Sequence, residues 1–357
     1  MDGLTGRFRE FVLTMRTSIP RFPPPFVFRR RSTWTLALAF VLGVVVPNSS
    51  AQPLRSESPG AESLVVRFID VGQGDSILLK TSSGRGWLID GGQSTRDVTQ
   101  AILKSMEEEG LSKLDGILMT HPHLDHFGGL SRLVEVVEVG RVFYNIDVPA
   151  PTYQGFVKKL AARGIPYERV NPGLLDWGAD VTVDVIAAKA QEEFDRELIR
   201  EAQRTETPIE EYAESLLDLC GSSSTLALNL NDYSIVLHVS YGSFDLLLTG
   251  DATEEVETQA LAQQRVPDGE VLKVAHHGSR YSSTRAFLDR FTPELAIIQV
   301  GAGNSYGHPH AESLDRLSQV GSDSRRNDHD GTIRLQVRSD GSYRISPRSQ
   351  TPALPLE

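Results

Sequence analysis

Six consecutive residues gather three imidazoles and a carboxylate: His121, His123, Asp125 and His126 in Thr120-His121-Pro122-His123-Leu124-Asp125-His126-Phe127-Gly128-Gly129. His121 and His123, two apart, can point the same way from an extended loop and clamp one metal ion. Asp125 and His126, at the turn into a helix, aim at a neighbouring point. Imidazole nitrogen with carboxylate oxygen suits zinc, manganese or iron, and two such points a few ångströms apart suit a two-metal hydrolase. A loop whose histidines merely cap the following helix would not need this density. The run Asp115-Gly116-Ile117-Leu118-Met119 before it predicts a buried strand, so the cluster sits where that strand ends.

Three other strand ends carry candidates. Asp251 follows Leu246-Leu247-Leu248-Thr249, where a carboxylate can bridge two metals or cap the next helix. His276 ends the strand Glu270–Ala275 and could complete the second metal's shell. His308 lies in the loop Tyr306-Gly307-His308-Pro309-His310, with a structural role as open to it as a functional one.

The elements that position these residues fall into two strand-rich halves. Strands are predicted at Leu64–Val71, Ser76–Lys80 and Trp87–Asp90, the last two forming a hairpin around a Gly turn. A helix at Thr95–Glu109 precedes the metal loop, and Leu130–Val137 follows it. The strand Arg141–Asn145, the helix Tyr153–Arg163 closed by Gly164 and the strand Val181–Ala187 complete the first half. The second half has strands at Ser224–Asn229, Ser234–Ser240, Phe244–Thr249, Glu270–Ala275, Leu295–Val300, Thr332–Arg338 and Tyr343–Ser346. Its helices are Glu254–Gln264 and Ala311–Gln319. Between the halves, 189–219 is rich in Glu, Arg and Gln and is interrupted at Pro208. It is expected to be an inserted helical segment, a lid or a solvated decoration. Strand clusters divided by helices predict two sheets packed face to face with helices outside.

Composition sets outer limits. The 357 residues are 39% hydrophobic and 23% charged, globular values that allow a sizeable core. Net charge is -11, and the first 51 residues hold seven Arg against Asp2 and Glu10, so the remainder carries -16. Such a body argues against a broad grip on nucleic acid, though not against cutting a strand in a local cleft. The lone Cys220 excludes an intrachain disulfide. Arg29-Arg30-Arg31, the apolar run from Trp34 to Val46 and the small residues Ser49 and Ala51 predict an export signal at 1–51, cleaved after Ala51. After cleavage the mature chain would span no membrane; a short membrane anchor left in place is the alternative. A linker at 52–62, a folded domain at 63–347 and a tail at 348–357 follow.

Taken together, the motif blocks resemble the metallo-β-lactamase superfamily, and within it the hydrolase domain of ComEC-type competence proteins. The resemblance covers Leu64 to Ser346. It is carried by Phe68-Ile69-Asp70-Val71-Gly72-Gln73-Gly74-Asp75-Ser76, Leu88-Ile89-Asp90-Gly91-Gly92 and the His-x-His-x-Asp-His loop. Asn231-Asp232-Tyr233-Ser234, Leu248-Thr249-Gly250-Asp251, Lys273-Val274-Ala275-His276-His277-Gly278-Ser279, Tyr306-Gly307-His308-Pro309 and Asp330-Gly331-Thr332-Ile333 follow in order. The resemblance implies an α+β fold, a four-layer αββα sandwich with the metal site at one edge. It implies two divalent ions, zinc or else manganese: His121 and His123 on the first, Asp125, His126 and His276 on the second, Asp251 between them. A metal-bound water of lowered pKa would be the nucleophile. Asp125 would be ligand and proton acceptor, and His308 or His277 would steady charge developing on the substrate.

Two departures qualify this. Many superfamily members carry another His before the bridging Asp, where this chain offers Asn231, Asp232 and Ser234, so a weak first site is expected. The polytopic membrane region of competence-channel proteins has no counterpart here, so a free-standing exported relative is expected. The leading functional expectation is a phosphodiesterase or nuclease acting on DNA, RNA or a nucleotide. The alternatives are a lactam or lactone hydrolase, and a weakly catalytic binding module that keeps one metal.

Overall fold

The structure, a computed structural model, describes residues 63–218 and 228–346. The chain divides into two units, Met1–Ser56 and Glu57–Glu357, and all the described residues belong to the second. The expected export signal, the linker, the tail and most of the strand at Ser224–Asn229 lie outside the described residues.

Two large sheets form the centre. The first has eight strands in the order Tyr343–Ile345, Ile333–Val337, Leu64–Phe68, Ile77–Lys80, Gly86–Ile89, Gly116–Leu118, Val142–Tyr144 and Tyr167–Arg169. The second has seven, in the order Asp323–Arg326, Leu295–Ile298, Val271–Lys273, Phe244–Leu248, Val236–Tyr241, Thr182–Ala187 and Gly173–Leu175.

The alternation of side chains along each strand divides the core into three layers. Leu64, Val66, Phe68, Ile77, Leu79, Trp87 and Ile89 of the first sheet meet Val183, Val185, Leu237, Val239, Leu246, Leu248 and Ile297 of the second. Trp87 stacks on Trp177 in this layer, with ring centroids 4.4 Å apart. The intervening residues face outward: Leu78, Leu88 and Ile117 pack on Val98, Ile102, Leu130 and Phe156. Leu247, Leu272 and Ala296 pack on Val256, Phe287 and Leu317. Helices therefore cover both outer faces of a double sheet, the four-layer αββα arrangement that the motif blocks imply.

Helix termini follow ordinary capping chemistry. Thr95 caps Arg96–Glu108 by accepting from the Val98 N–H, and Thr284 caps Arg285–Phe291 by accepting from Phe287. The segment 189–219 forms the helices Gln191–Arg204 and Ile209–Leu216, broken at Pro208. It is not a solvated decoration. Phe194, Leu198 and Ala202, four apart, share one helix face and join the core with Tyr212, Ala213 and Leu216. Tyr233 donates to Glu197 at 2.7 Å, tying the first of these helices to the second half.

Three glycines let separate loops approach beneath the metal motif. A Cβ on Gly74 would lie 2.2 Å from the Asp125 carbonyl oxygen, and one on Gly129 would lie 2.0 Å from that of Gly91. Gly250, at φ +50°, would bring a Cβ within 3.0 Å of Thr120. Gly74 also holds φ +122°, a region that L side chains avoid. Gly74→Ala is expected to destabilise the fold by about 2 kcal/mol or more, toward the upper end for single substitutions. A denaturant melt of the purified variant checks this, and an unchanged midpoint would show that the loop can shift.

Candidate metal centre

The polar residues of the centre come from strand ends, from the short helix Leu124–Phe127 and from neighbouring loops. Gly86–Ile89 and Gly116–Leu118 run parallel and end in Asp90 and in Thr120-His121. Phe244–Leu248, Val271–Lys273 and Leu295–Ile298 are parallel as well and end in Asp251, His276-His277 and Gln299. Ligands of parallel sheets gather at the carboxyl ends of strands, and both sheets deliver theirs to one place.

Among the described residues, three groups of side chains with metal-compatible spacing meet there. His121, His123 and Asp251 form the first, Asp125, His126 and His277 the second, and Asp75, Asp90 and His126 a third, in which Lys273 contacts Asp75 and Thr120 donates to Asp90. In the first, His121 Nε2 is 2.9 Å from His123 Nδ1 and 4.0 Å from Asp251 Oδ2. In the second, His277 Nε2 is 3.2 Å from Asp125 Oδ2 and 3.4 Å from Asp251 Oδ2. His126 Nε2 lies 3.4 Å from Asp251 Oδ1. Asp251 thus stands between the first two groups with an oxygen toward each.

The structure brings His277, rather than His276, together with Asp125 and His126. The cause is local. His276 and His277 are consecutive left-handed residues, φ 50° and 52°, so the backbone coils at the strand end instead of alternating. His277 turns fully inward. His276 turns toward the rim, with Nε2 3.3 Å from Asn231 Nδ2 and 3.9 Å from Asp251 Oδ2. His308 is buried on the loop above, its ring 5.4 Å from that of His276 and 6.2 Å from that of His277. His238, mid-strand, faces away and contacts Asp245 at 2.6 Å.

A scaffold of hydrogen bonds fixes the rings. Asp90, in a left-handed turn at φ 57°, accepts from the Thr120 N–H at 2.8 Å and from its hydroxyl at 2.7 Å. The same carboxylate is 2.8 Å from His126 Nδ1, which leaves Nε2 facing Asp251. His277 Nδ1 is 2.9 Å from the Gln299 carbonyl, and the Gln299 amide in turn donates to Ile69 and Ser76 carbonyls. The rings of His126 and His277 are thereby oriented with Nε2 toward the centre.

Three residues have roles that the linear sequence does not reveal. Asp75 and Asp90 belong to recognisable blocks, yet each could pass as a turn residue. Lys273 is fully buried, donates to the Gly250 carbonyl at 2.9 Å, contacts Asp75 and lies 3.8 Å from Asp251 Oδ1. Burial beside partners was the missing signal, since a lysine on a strand is ordinarily solvated.

Charge decides what this arrangement can hold. Asp75, Asp90, Asp125 and Asp251 are all buried, with Lys273 as the permanent cation among them. Burial opposes ionisation of Asp125 and Asp251, but His126 and His277 hold both well below the usual carboxylate range. Burial likewise opposes protonation of His126 and His277, and the carboxylates overcome it, raising both well above the usual imidazole value. Burial takes His123 and His276 down to about 4, so both are neutral donors near pH 7. Among the described residues, both Asp251 oxygens, His126 Nε2 and His277 Nε2 lack a hydrogen bond of ordinary geometry. Buried anions, neutral imidazoles and inward-facing unsatisfied donors fit divalent cations, which would take the place of the two protons.

Metal uptake near pH 7 is therefore expected to release about two protons, from His126 and His277. Calorimetry in buffers of different ionisation enthalpy measures this number. Asp90→Asn is expected to weaken metal binding about 10–100-fold by releasing the His126 ring.

The family profile described as the metallo-beta-lactamase superfamily matches residues 69–301. ComE operon protein 3 of Bacillus subtilis is 25% identical over 303 residues, covering 80% of this chain and 35% of that protein. Recombination protein 2 of Haemophilus influenzae is 24% identical, covering 77% and 29%. The chain thus spans about a third of the length of these relatives. Among solved structures, the metallo-beta-lactamase fold protein YhfI from Bacillus subtilis aligns over 80% of this chain and 100% of its own, with 10% identity and a TM-score of 0.45. The profile spans well over half of the chain, its boundaries enclose these side-chain groups, and the chain belongs to the metallo-β-lactamase superfamily.

Proposed function

We propose that the protein is an exported, metal-dependent phosphodiesterase or nuclease. One observation carries the reading: two groups of metal-compatible side chains share Asp251, whose oxygens face both. His121 Nε2, His123 Nδ1 and Asp251 would hold one ion; Asp125, His126, His277 and Asp251 would hold the other. Divalent ions so bound acidify water and stabilise attacking and leaving oxygens together, the need of phosphodiester hydrolysis. Zinc suits the nitrogen-rich donor set, with manganese the alternative.

The chain's own residues divide the remaining work. Asp125 orients the nucleophile and receives its proton. His277 takes the place of His276 as a ligand, and His276 moves to the substrate rim beside Asn231. Burial lowers His308 to about 3, so its ring is neutral and can donate one hydrogen bond to a phosphoryl oxygen. Among the described residues neither His308 nitrogen has a hydrogen-bond partner, which leaves the ring free to donate to a substrate oxygen.

The relatives' names, competence and recombination proteins, favour DNA as the substrate class. The acidic body favours a local contact over an extended grip. Export rests on the basic stretch and apolar run before Ala51. Among the described residues, no helix is long and apolar enough to cross a membrane.

The test uses protein stripped of metal and reconstituted with zinc or manganese, acting on labelled single- and double-stranded oligonucleotides. Cleavage is expected to need metal and to vanish in Asp125→Ala. His308→Ala is expected to lower kcat by about 10²–10³, the usual loss of one transition-state donor, with metal content unchanged. Intact oligonucleotides in the presence of two bound ions would turn the reading toward lactams or lactones.

A further inference from the structure

Beside the metal groups lies a cavity of about 260 Å³. Its walls are the loop Gln93-Ser94-Thr95, Leu124, Leu217 and Tyr306, with Asp125 and Asp218 also lining it. Asp125 belongs to the second metal group, so the cavity opens onto the reacting centre. The Leu124 N–H donates to the Leu217 carbonyl at 2.9 Å, joining the metal helix to the end of the inserted helices. The Tyr306 ring lies 5.9 Å from that of His308, inclined by 30°. An aromatic ring therefore adjoins the imidazole that overlooks the metal groups.

The lining selects a class of occupant. Two carboxylates repel a phosphate, so a phosphate belongs over the metal groups and an uncharged moiety belongs in the cavity. Two leucines and a tyrosine favour a flat, partly apolar body, and the Gln93 amide and Ser94 hydroxyl can pair with polar edges. The volume falls just below the range of small-ligand pockets, roughly 300–1,000 Å³. One nucleoside fits such a space, whereas a base pair within a duplex does not. We infer that this cavity receives a single unpaired nucleoside adjoining the scissile phosphate. Single-stranded ends and short nucleotides are then the substrates, and the interior of a duplex is excluded. This rests on the phosphodiesterase reading and narrows its substrate.

The experiment compares two esters with the same leaving group, thymidine 5′-(p-nitrophenyl phosphate) and methyl p-nitrophenyl phosphate, on the metal-reconstituted full chain. In each, water adds at phosphorus and p-nitrophenolate departs, so only the nucleoside differs. The ratio of kcat/KM for the thymidine ester to that for the methyl ester is expected to fall about tenfold in Tyr306→Ala, the size of a lost base stack, mainly through KM. Tyr306→Phe, which keeps the ring, is expected to restore it. An equal ratio in all three proteins overturns the assignment. Calorimetry with thymidine 5′-monophosphate separates the two levels of the argument. Tyr306-dependent binding without turnover of either ester keeps the cavity assignment and overturns the phosphodiesterase reading; neither binding nor turnover overturns both.

Discussion

Four carboxylates with little solvent around them are the constraint on which the rest of this structure depends. Asp75, Asp90, Asp125 and Asp251 converge from four strand ends, and the permanent positive charge among them is that of Lys273. Such a collection is costly to bury, because each anion loses its hydration. The surrounding architecture limits that cost. Backbone N–H groups of Thr120 and Asp251 are engaged by Asp90 and by the Ser234 hydroxyl, which fixes both loops. Lys273 draws Asp75 and the Gly250 carbonyl together. What remains is an electrostatic deficit at the midpoint of the histidines, which only cations can remove. Metal binding and folding are therefore coupled through the same residues.

The same constraint explains the backbone. Carboxylates from distant strands can share a centre only if their loops nearly touch, hence Gly74 against the Asp125 carbonyl and Gly129 against that of Gly91. Hydrogen bonds then lock the loops in place: Asp75 N–H to Asp125, Gly91 N–H to His126 and Gly92 N–H to Asp75. Strain is stored at the centre too. Asp90, His276 and His277 all adopt left-handed backbone, at about 1–2 kcal/mol each. The double sheet supplies the rigidity that holds them there.

Much of this was legible in the sequence, and the parts that were not share a cause. The layers follow from strands that are apolar on both faces, such as Leu64–Phe68 and Phe244–Leu248, each with a single polar residue. The strands Tyr167–Arg169, Gly173–Leu175 and Asp323–Arg326 give no clear signal because they are only three or four residues long and lie at sheet edges. The helix Arg285–Phe291 is only seven residues long. At the centre, spacing reveals which residues can bind metal but not which way a ring turns. Alternation cannot choose between His276 and His277 once two left-handed residues intervene. It also treats Lys273 as an ordinary strand residue, because burial beside an anion is a property of the fold. The inserted segment is the reverse case. Phe194, Leu198 and Ala202 spelled a core-facing stripe, but Glu and Arg around them drew attention to solvent.

That inserted segment connects stability with access to the site. Its first helix packs into the outer core of the first sheet, so it cannot swing away as a loose lid would without exposing Phe194 and Leu198. Its second helix ends at Leu216, and the carbonyl of the next residue, Leu217, holds Leu124, the residue immediately before the ligand candidate Asp125. Leu217, which lines the cavity beside Asp125, is itself buried in the outer core of the first sheet, so that part of the wall is fixed by core packing. Rigid walls discriminate by shape and unpaired polar groups, not by closure. Under the proposed phosphodiesterase reading, a fixed cleft beside a cation-demanding centre in an acidic body would confine recognition to the few atoms around the bond to be cut.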